Sequence, residues 1–173
     1  MADCLGQVQK EAWVAVLVST TMLMRKIEKD LSERGCMAIE LYDVLLTLEH
    51  APNRRMRMSD LADAVILSPS GITRLVDRLE SLGYVFRHTC ERDRRATYAI
   101  LTPEGLAARE AAWPHYREAV QRHFGRHLTD EESAVVRDIL RKTIPGVHLF
   151  GVDEDCSACA AADGKEEISL PTL

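Results

Sequence analysis

The sequence lacks any apolar run long enough to cross a bilayer. Its longest uncharged stretch, Ala12 to Met24, is broken by Ser19, Thr20 and Thr21. The opening MADCLGQVQKEAW carries an acid and no basic n-region, so no signal peptide is expected and the chain reads as cytoplasmic. A phosphate-binding glycine loop, a nucleophile elbow and a paired-histidine metal motif are also missing, which removes the usual grounds for an enzyme. No internal repeat is found. Cys156 and Cys159 form one CxxC without a second pair, and His148 is a remote third ligand, so reduced thiols are expected there rather than zinc. Cys4, Cys36 and Cys90 stand alone. No metal and no cofactor is implied. Among the histidines only His123 and His127 share an i, i+4 spacing, and a surface position near a helix C-terminus is their expected role.

A net charge of −5 argues at first against a polyanionic partner, but the charge is unevenly placed. From His148 onward there are six acids (Asp153, Glu154, Asp155, Asp163, Glu166, Glu167) and one base, Lys165. The first 147 residues are neutral, with 21 bases and 21 acids. Between 53 and 96, nine arginines face six acids. What attracts phosphate is the local field of an exposed face, not the whole-chain sum.

Apolar residues at three- and four-residue spacing (Trp13, Val16, Leu17, Thr20, Leu23, Met24, Ile27, Leu31) predict a helix over 11–33 that Gly35 stops. Val14, Val18 and Met22 add a second apolar side, so one face is expected against its own chain and the other against a partner subunit. A helix over 38–50 turns Leu41, Val44, Leu45 and Leu48 inward, and Pro52 and Asn53 break it. Ser59 is a candidate N-cap for a short helix with Leu61, Ala62, Val65 and Ile66 inside. Ser68 then caps, and Pro69 opens, a helix whose buried stripe is Ile72, Leu75, Val76, Leu79 and Leu82, ended by Gly83. Tyr84 to His88 and Thr97 to Leu101 are the convincing strands. Thr102-Pro103-Glu104 opens a long helix that Pro114 is expected to kink. Thr129-Asp130-Glu131-Glu132 is a capping box for a last helix with Val135, Val136, Ile139 and Leu140 inward. Beyond Pro145 the chain turns Gly-, Ala- and acid-rich, as a flexible tail does.

The helix over 68–82 carries Ser70, Thr73, Arg74, Asp77 and Arg78 on its polar face, with Ser68 at its start. Serine and threonine donate to phosphates or base edges, and arginine forks onto guanine O6 and N7. Asp77 is placed to orient Arg74 or Arg78. The hairpin that follows is tipped by Arg92, Asp93, Arg94 and Arg95. Arginine suits the narrow minor groove, while Asp93 reads either as a salt-bridging brace or as an ordinary turn-former. A groove-sized helix followed by a basic finger is equipment for reading double-stranded DNA. One such helix contacts only a half-site, so a homodimer is expected. A helical adaptor protein would account for the long helices but not for the arginine-tipped hairpin.

On LYDVLLTLEHAP at 41–52, MSDLADAV at 58–65, LSPSGITRLVDRLESLGYV at 67–85 and Asp-x-Arg-Ala at 93–96, the chain resembles the MarR (multiple antibiotic resistance regulator) family of winged helix-turn-helix transcription factors, over about 11–145. The resemblance implies a mainly α fold with a small β-hairpin wing and intertwined N- and C-terminal dimerisation helices. With it the chain divides into an extension (1–10), a dimerisation helix (11–35), the DNA-binding lobe (36–102), C-terminal dimerisation helices (103–146) and an acidic flexible tail (147–173) that has no assigned counterpart in the family. The resemblance maps the minor-groove arginine onto Arg95, with Asp93 as brace. It also implies a repressor released from a palindromic operator by a small, often phenolic, anion. The alternative is a redox-responsive regulator of the same fold that senses oxidants through cysteine.

An effector pocket belongs where the dimer helices meet the DNA-reading lobe, because filling it there can alter the spacing of the recognition helices. Trp13, Met24, Arg25, Tyr42 and His50 are its candidates: apolar walls, a cation and two hydrogen-bonding rings. Trp13 resembles the first-helix tryptophan that one subgroup of the family uses for urate-like anions. The competing reading is that Trp13 and Met24 are dimer-core packing.

Overall fold

The computed structural model describes residues 5–65, 67–89 and 96–144. Ile66, the segment 90–95 and everything after Ile144 lie outside the described residues, as do the expectations for Cys4, Cys90, the hairpin tip, the CxxC and the tail. The chain runs α1 (Gln7–Glu33), α2 (Ile39–His50), β1 (Arg55–Arg57), α3 (Met58–Ala64), α4 (Pro69–Ser81), β2 (Val85–Thr89), β3 (Thr97–Leu101), α5 (Pro103–His123) and α6 (Asp130–Thr143). The expected mainly α architecture with a β wing is what forms. Among the described residues, no helix is long and apolar enough to cross a membrane.

The lobe formed by α2, α3, α4 and the sheet packs around one core. Leu41, Val44, Leu45 and Leu48 of α2, Leu61 and Ala62 of α3, and Ile72, Val76 and Leu79 of α4 meet Val85, Ala99 and Leu101 of the sheet. Four α2 residues at helical spacing give one continuous apolar ridge, against which the two shorter helices lie side by side. The sheet has three strands, ordered β1-β3-β2 and antiparallel, with Arg57 opposite Tyr98 and Arg87 opposite Ala99.

Several boundaries differ from expectation. The third strand, β1, is only three residues long and shows no apolar alternation of its own; pairing with β3 makes it a strand. It is led in by Asn53 and Arg54, both left-handed at φ 53°. Ser59 does not cap α3: Arg57 holds the N-cap position, and the Ser59 hydroxyl, already inside the first turn, donates to Asp60 at 2.8 Å. Leu82 is the C-cap of α4 and 48 % exposed, so the buried stripe ends at Leu79. Helix α1 begins at Gln7, because the Gly6 N–H finds a partner in Gln9 Oε1 at 2.8 Å. Pro114 lies inside α5, which continues through it to His123.

Helix α5 is docked to the base of the wing by its first turn. The Thr102 hydroxyl caps the Gly105 N–H at 3.0 Å and donates to the Gly83 carbonyl at 2.7 Å, while the Thr102 N–H donates to the Tyr84 carbonyl at 3.1 Å. That carbonyl lies where a Cβ at position 105 would stand, so only glycine fits.

The far end of α5 meets α1 through a small apolar cluster of Ile27, Leu31, Ile39 and Ala119. Ion pairs flank it: Arg34 forks onto Glu118 at 2.6 and 2.9 Å and, with Arg122, holds that carboxyl down at about 2. Asp30 accepts from His123 Nε2 and from Arg122, both at 2.9 Å, and the His123 hydrogen bond lowers its pKa. His123 therefore belongs to this seam and not to the open surface, and His127 sits beyond the helix in a 3₁₀ turn. Elsewhere α1 and α6 lack the inward contacts expected within one chain. Trp13, Leu17 and Val18 of α1 and Val135 and Ile139 of α6 are all more than half exposed.

Between α2 and α5, Tyr42 stacks on Tyr116 at 4.8 Å, and Arg109 pairs with Glu49. Burial beside this stack pushes the Asp43 carboxyl up to about 6, with Glu40 adding to the rise. Charging a group whose pKa rises on folding works against the native state. Asp43 therefore has no effect below about pH 4, destabilises increasingly as pH climbs to about 6, and costs a constant amount above that. Asp43→Asn is expected to gain about 1 kcal/mol at pH 7, allowing for partial exposure, and nothing at pH 3.5. Thermal melts of both proteins at the two pH values check this; an equal gain at both would exclude the carboxylate as its source.

Candidate nucleic-acid interface

The interface is built on α4. The Ser68 side-chain oxygen accepts the Gly71 N–H at 3.1 Å, fixing the start of the helix, and lies 3.2 Å from the Ser70 hydroxyl. Pro69 follows at the first helical position, where its missing N–H leaves no ladder bond unmade. Ile72, Val76 and Leu79 anchor the inner side, which turns Ser70, Thr73, Arg74, Asp77 and Arg78 outward. Ser68 is exposed as well. Among the described residues, neither Arg74 nor Arg78 enters an ion pair, so both guanidinium groups stand open to an approaching anion.

Asp77 does not orient either of them. Its Oδ1 forms an ion pair with Arg87 Nη1 of β2 at 2.7 Å. Arg87 also pairs with Glu80, reaches the Thr73 carbonyl at 3.0 Å, and donates its backbone N–H to Glu80 Oε1 at 2.7 Å. The reason is geometric. Val85 and Arg87 lie two apart on a strand and point to the same face, Val85 into the core and Arg87 onto the flank of α4. The sequence does carry a signal for it: a charge at an inward strand position, with acids at i and i+3 on the preceding helix.

On the other edge of the wing, Arg57 Nε donates to Tyr98 Oη at 2.9 Å, and the Arg55 and Arg57 guanidinium groups lie 5.6 and 5.5 Å from the Tyr98 ring centre. Neither arginine is a candidate from sequence alone, because β1 carries no strand pattern of its own. A cleft of about 520 Å³ opens between the start of α3, the middle of α4 and the wing, lined by Arg57, Met58, Ser59, Thr73, Arg87, Ala96 and Thr97. Asp93, Arg94 and Arg95 lie outside the described residues.

The five effector candidates are not gathered into one site by a single chain. Trp13, Met24 and Arg25 are exposed on α1. Tyr42 is buried against Tyr116, and His50 is exposed at the end of α2 with its Nδ1–H donating to the Leu46 carbonyl at 2.9 Å. None of the five lines the cleft. Cys36 is a free thiol, half-buried at the α1–α5 seam. Among the described residues, no three His, Cys, Asp or Glu side chains come together as metal ligands.

The sequence matches the profile of the MarR family over residues 42–96. The fold is similar to that of AbsC, a MarR family transcriptional regulator from Streptomyces coelicolor, at 33% identity and a TM-score of 0.71, covering 82% of this chain and 95% of that one. It is also similar to Sco3205, a MarR family regulator from the same organism solved in complex with DNA, at 29% identity and a TM-score of 0.74, with 83% and 89% covered. A Bacillus cereus protein described as an uncharacterized HTH-type transcriptional regulator is 28% identical over 127 residues, 73% of this chain and 82% of the relative.

Proposed function

Because the chain belongs to the MarR family of winged-helix, DNA-binding transcriptional regulators, we propose that it acts as a cytoplasmic homodimer that represses from a palindromic operator and leaves it when a small anion binds. The observation that carries this reading is the outer face of α4, where Ser70, Thr73, Arg74 and Arg78 project from a helix anchored along its opposite side. Ser68 and Ser70 approach phosphates at the helix start, and Thr73, Arg74 and Arg78 meet base edges and backbone in the major groove. Asp93, Arg94 and Arg95 extend the contact into the minor groove, with Arg95 inserted and Asp93 bracing it. Two such helices, set about one DNA turn (~34 Å) apart, read the two halves of a palindrome. The exposed apolar faces of α1 and α6 supply the pairing surface. No catalytic step is assigned.

For the effector, pairing would let a second subunit close over Trp13, Met24, Arg25 and His50, with Tyr42 buried behind them against Tyr116. Arg74 is the residue that tests the main reading. Arg74→Ala is expected to flatten base preference at the positions it reads, by about 1–3 kcal/mol per bidentate contact, while binding to unrelated DNA falls less. Selection from a randomised duplex pool with both proteins measures this. An unchanged preference profile would remove the outer face of α4 from sequence reading.

A further inference from the structure

Arg87 places its entire guanidinium on the helix that is to meet DNA, and the two carboxylates it holds there need explaining. Asp77 is 58% and Glu80 32% exposed by side chain, against 24% for Arg87. A duplex carries one negative charge per roughly 1.7 Å of its axis, so bare acids on a docking helix oppose binding. They are not required to hold α4 in place, since Ile72, Val76 and Leu79 are fully buried on its inner side. Partly exposed ion pairs also add little to folding. What the cluster does add is direction. One planar fork, ion-paired with two carboxylates and hydrogen-bonded to the Thr73 carbonyl, ties the flank of α4 to the wing strand at three points.

We infer that Arg87 is a positioning residue for DNA binding: it offsets one of the two negative charges of Asp77 and Glu80 and locks the recognition helix to the wing, so that Thr73, Arg74 and Arg78 approach a duplex beside one uncompensated negative charge instead of two. This rests on the reading that the outer face of α4 meets DNA. Arg87 itself acts through its partners on α4. Its removal raises the uncompensated negative charge on the docking face from one to two per subunit and frees the orientation of α4 against the wing.

The test uses the intact protein and the duplex that wild-type protein enriches from a randomised pool, with a scrambled duplex of the same composition as control. Arg87→Met keeps the aliphatic stem and removes the fork. It is expected to weaken binding to the enriched duplex about tenfold or more at low salt, by a factor that shrinks as salt screens the exposed acids. Adding Asp77→Asn and Glu80→Gln to Arg87→Met is expected to recover the part of that loss that is charge, about threefold or more, although the triple variant has still fewer of the native contacts. A merely structural role predicts the reverse. The inference is overturned if Arg87→Met binds within about twofold of wild type, or if the triple variant is as weak as the single one. Should Arg87→Met fail to fold, Asp77→Asn with Glu80→Gln beside an intact Arg87 decides between the outcomes. The ratio of enriched to scrambled affinity is then expected to fall by about threefold or more, and an unchanged ratio overturns the inference. Arg74→Ala, run in parallel, separates the two readings. If it too leaves binding unchanged, the α4 face is not the docking face; if it weakens binding while Arg87→Met does not, only the role of Arg87 fails.

Discussion

Alanine at Gly105 is expected to cost about 3 kcal/mol or more of folding stability, at the upper end of what a single added methyl does. The new Cβ would stand 2.1 Å from the Tyr84 carbonyl oxygen and 2.9 Å from its carbon, with Leu101 Cδ1 at 3.0 Å. That carbonyl cannot swing aside, because it accepts the Thr102 N–H at 3.1 Å and continues directly into β2. Relief therefore requires lifting the first turn of α5 off the wing, which breaks the Thr102 contacts to Gly83 and Tyr84 together. Gly125→Ala is the matched control. Its Cβ meets Gln121 Oε1 at 2.4 Å, but that is the far end of a flexible side chain and can move. Melts should place Gly105→Ala roughly 10 °C below wild type and Gly125→Ala close to it. Equal melting of the two variants would mean that α5 is not seated on the wing as described.

Placing charge on the apolar faces of α1 and α6 is expected to abolish pairing. Leu17→Asp with Ile139→Asp puts a carboxylate on each of two helices that also expose Val14 and Val18, and Val135 and Leu140. Each large aliphatic side chain withdrawn from water contributes about 1.5–3 kcal/mol, and a buried unpaired charge costs more than that. Light scattering should then report a monomer. Operator affinity should drop about a hundredfold or more, since only one half-site is held. A double variant that remains paired and binds DNA as before would place the subunit contact elsewhere.

Most of the DNA-reading lobe is legible in the sequence because its signals are local. Ser68 and Pro69 mark the start of α4, Gly83, at φ 73°, marks its end, and the Thr129–Glu132 box that opens α6 closes with bonds of 2.9 and 3.2 Å. What stays hidden depends on elements remote in sequence. Three residues of β1 become a strand only because β3 runs beside them. Asp77 finds Arg87, not its helical neighbours, because a strand delivers that guanidinium to the side of α4. Periodicity marks the apolar stripes of α1 and α6 correctly, yet it is silent on whether the surface facing a stripe belongs to the same chain. The effector candidates fail to converge for the same reason: Trp13 and Tyr42 each have a suitable face, and nothing in the sequence sets the distance between them.

The geometry of α1 has a consequence for how the protein comes into being. A helix of 27 residues is about 40 Å long, and within its own chain only Ile27 and Leu31, both in its final two turns, are buried. On the proposed pairing, the remaining length gains its scaffold when a second copy arrives, and ordering and association become a single event. Dilution then acts as a denaturant. On that pairing, the fraction of finished protein follows the concentration of chains.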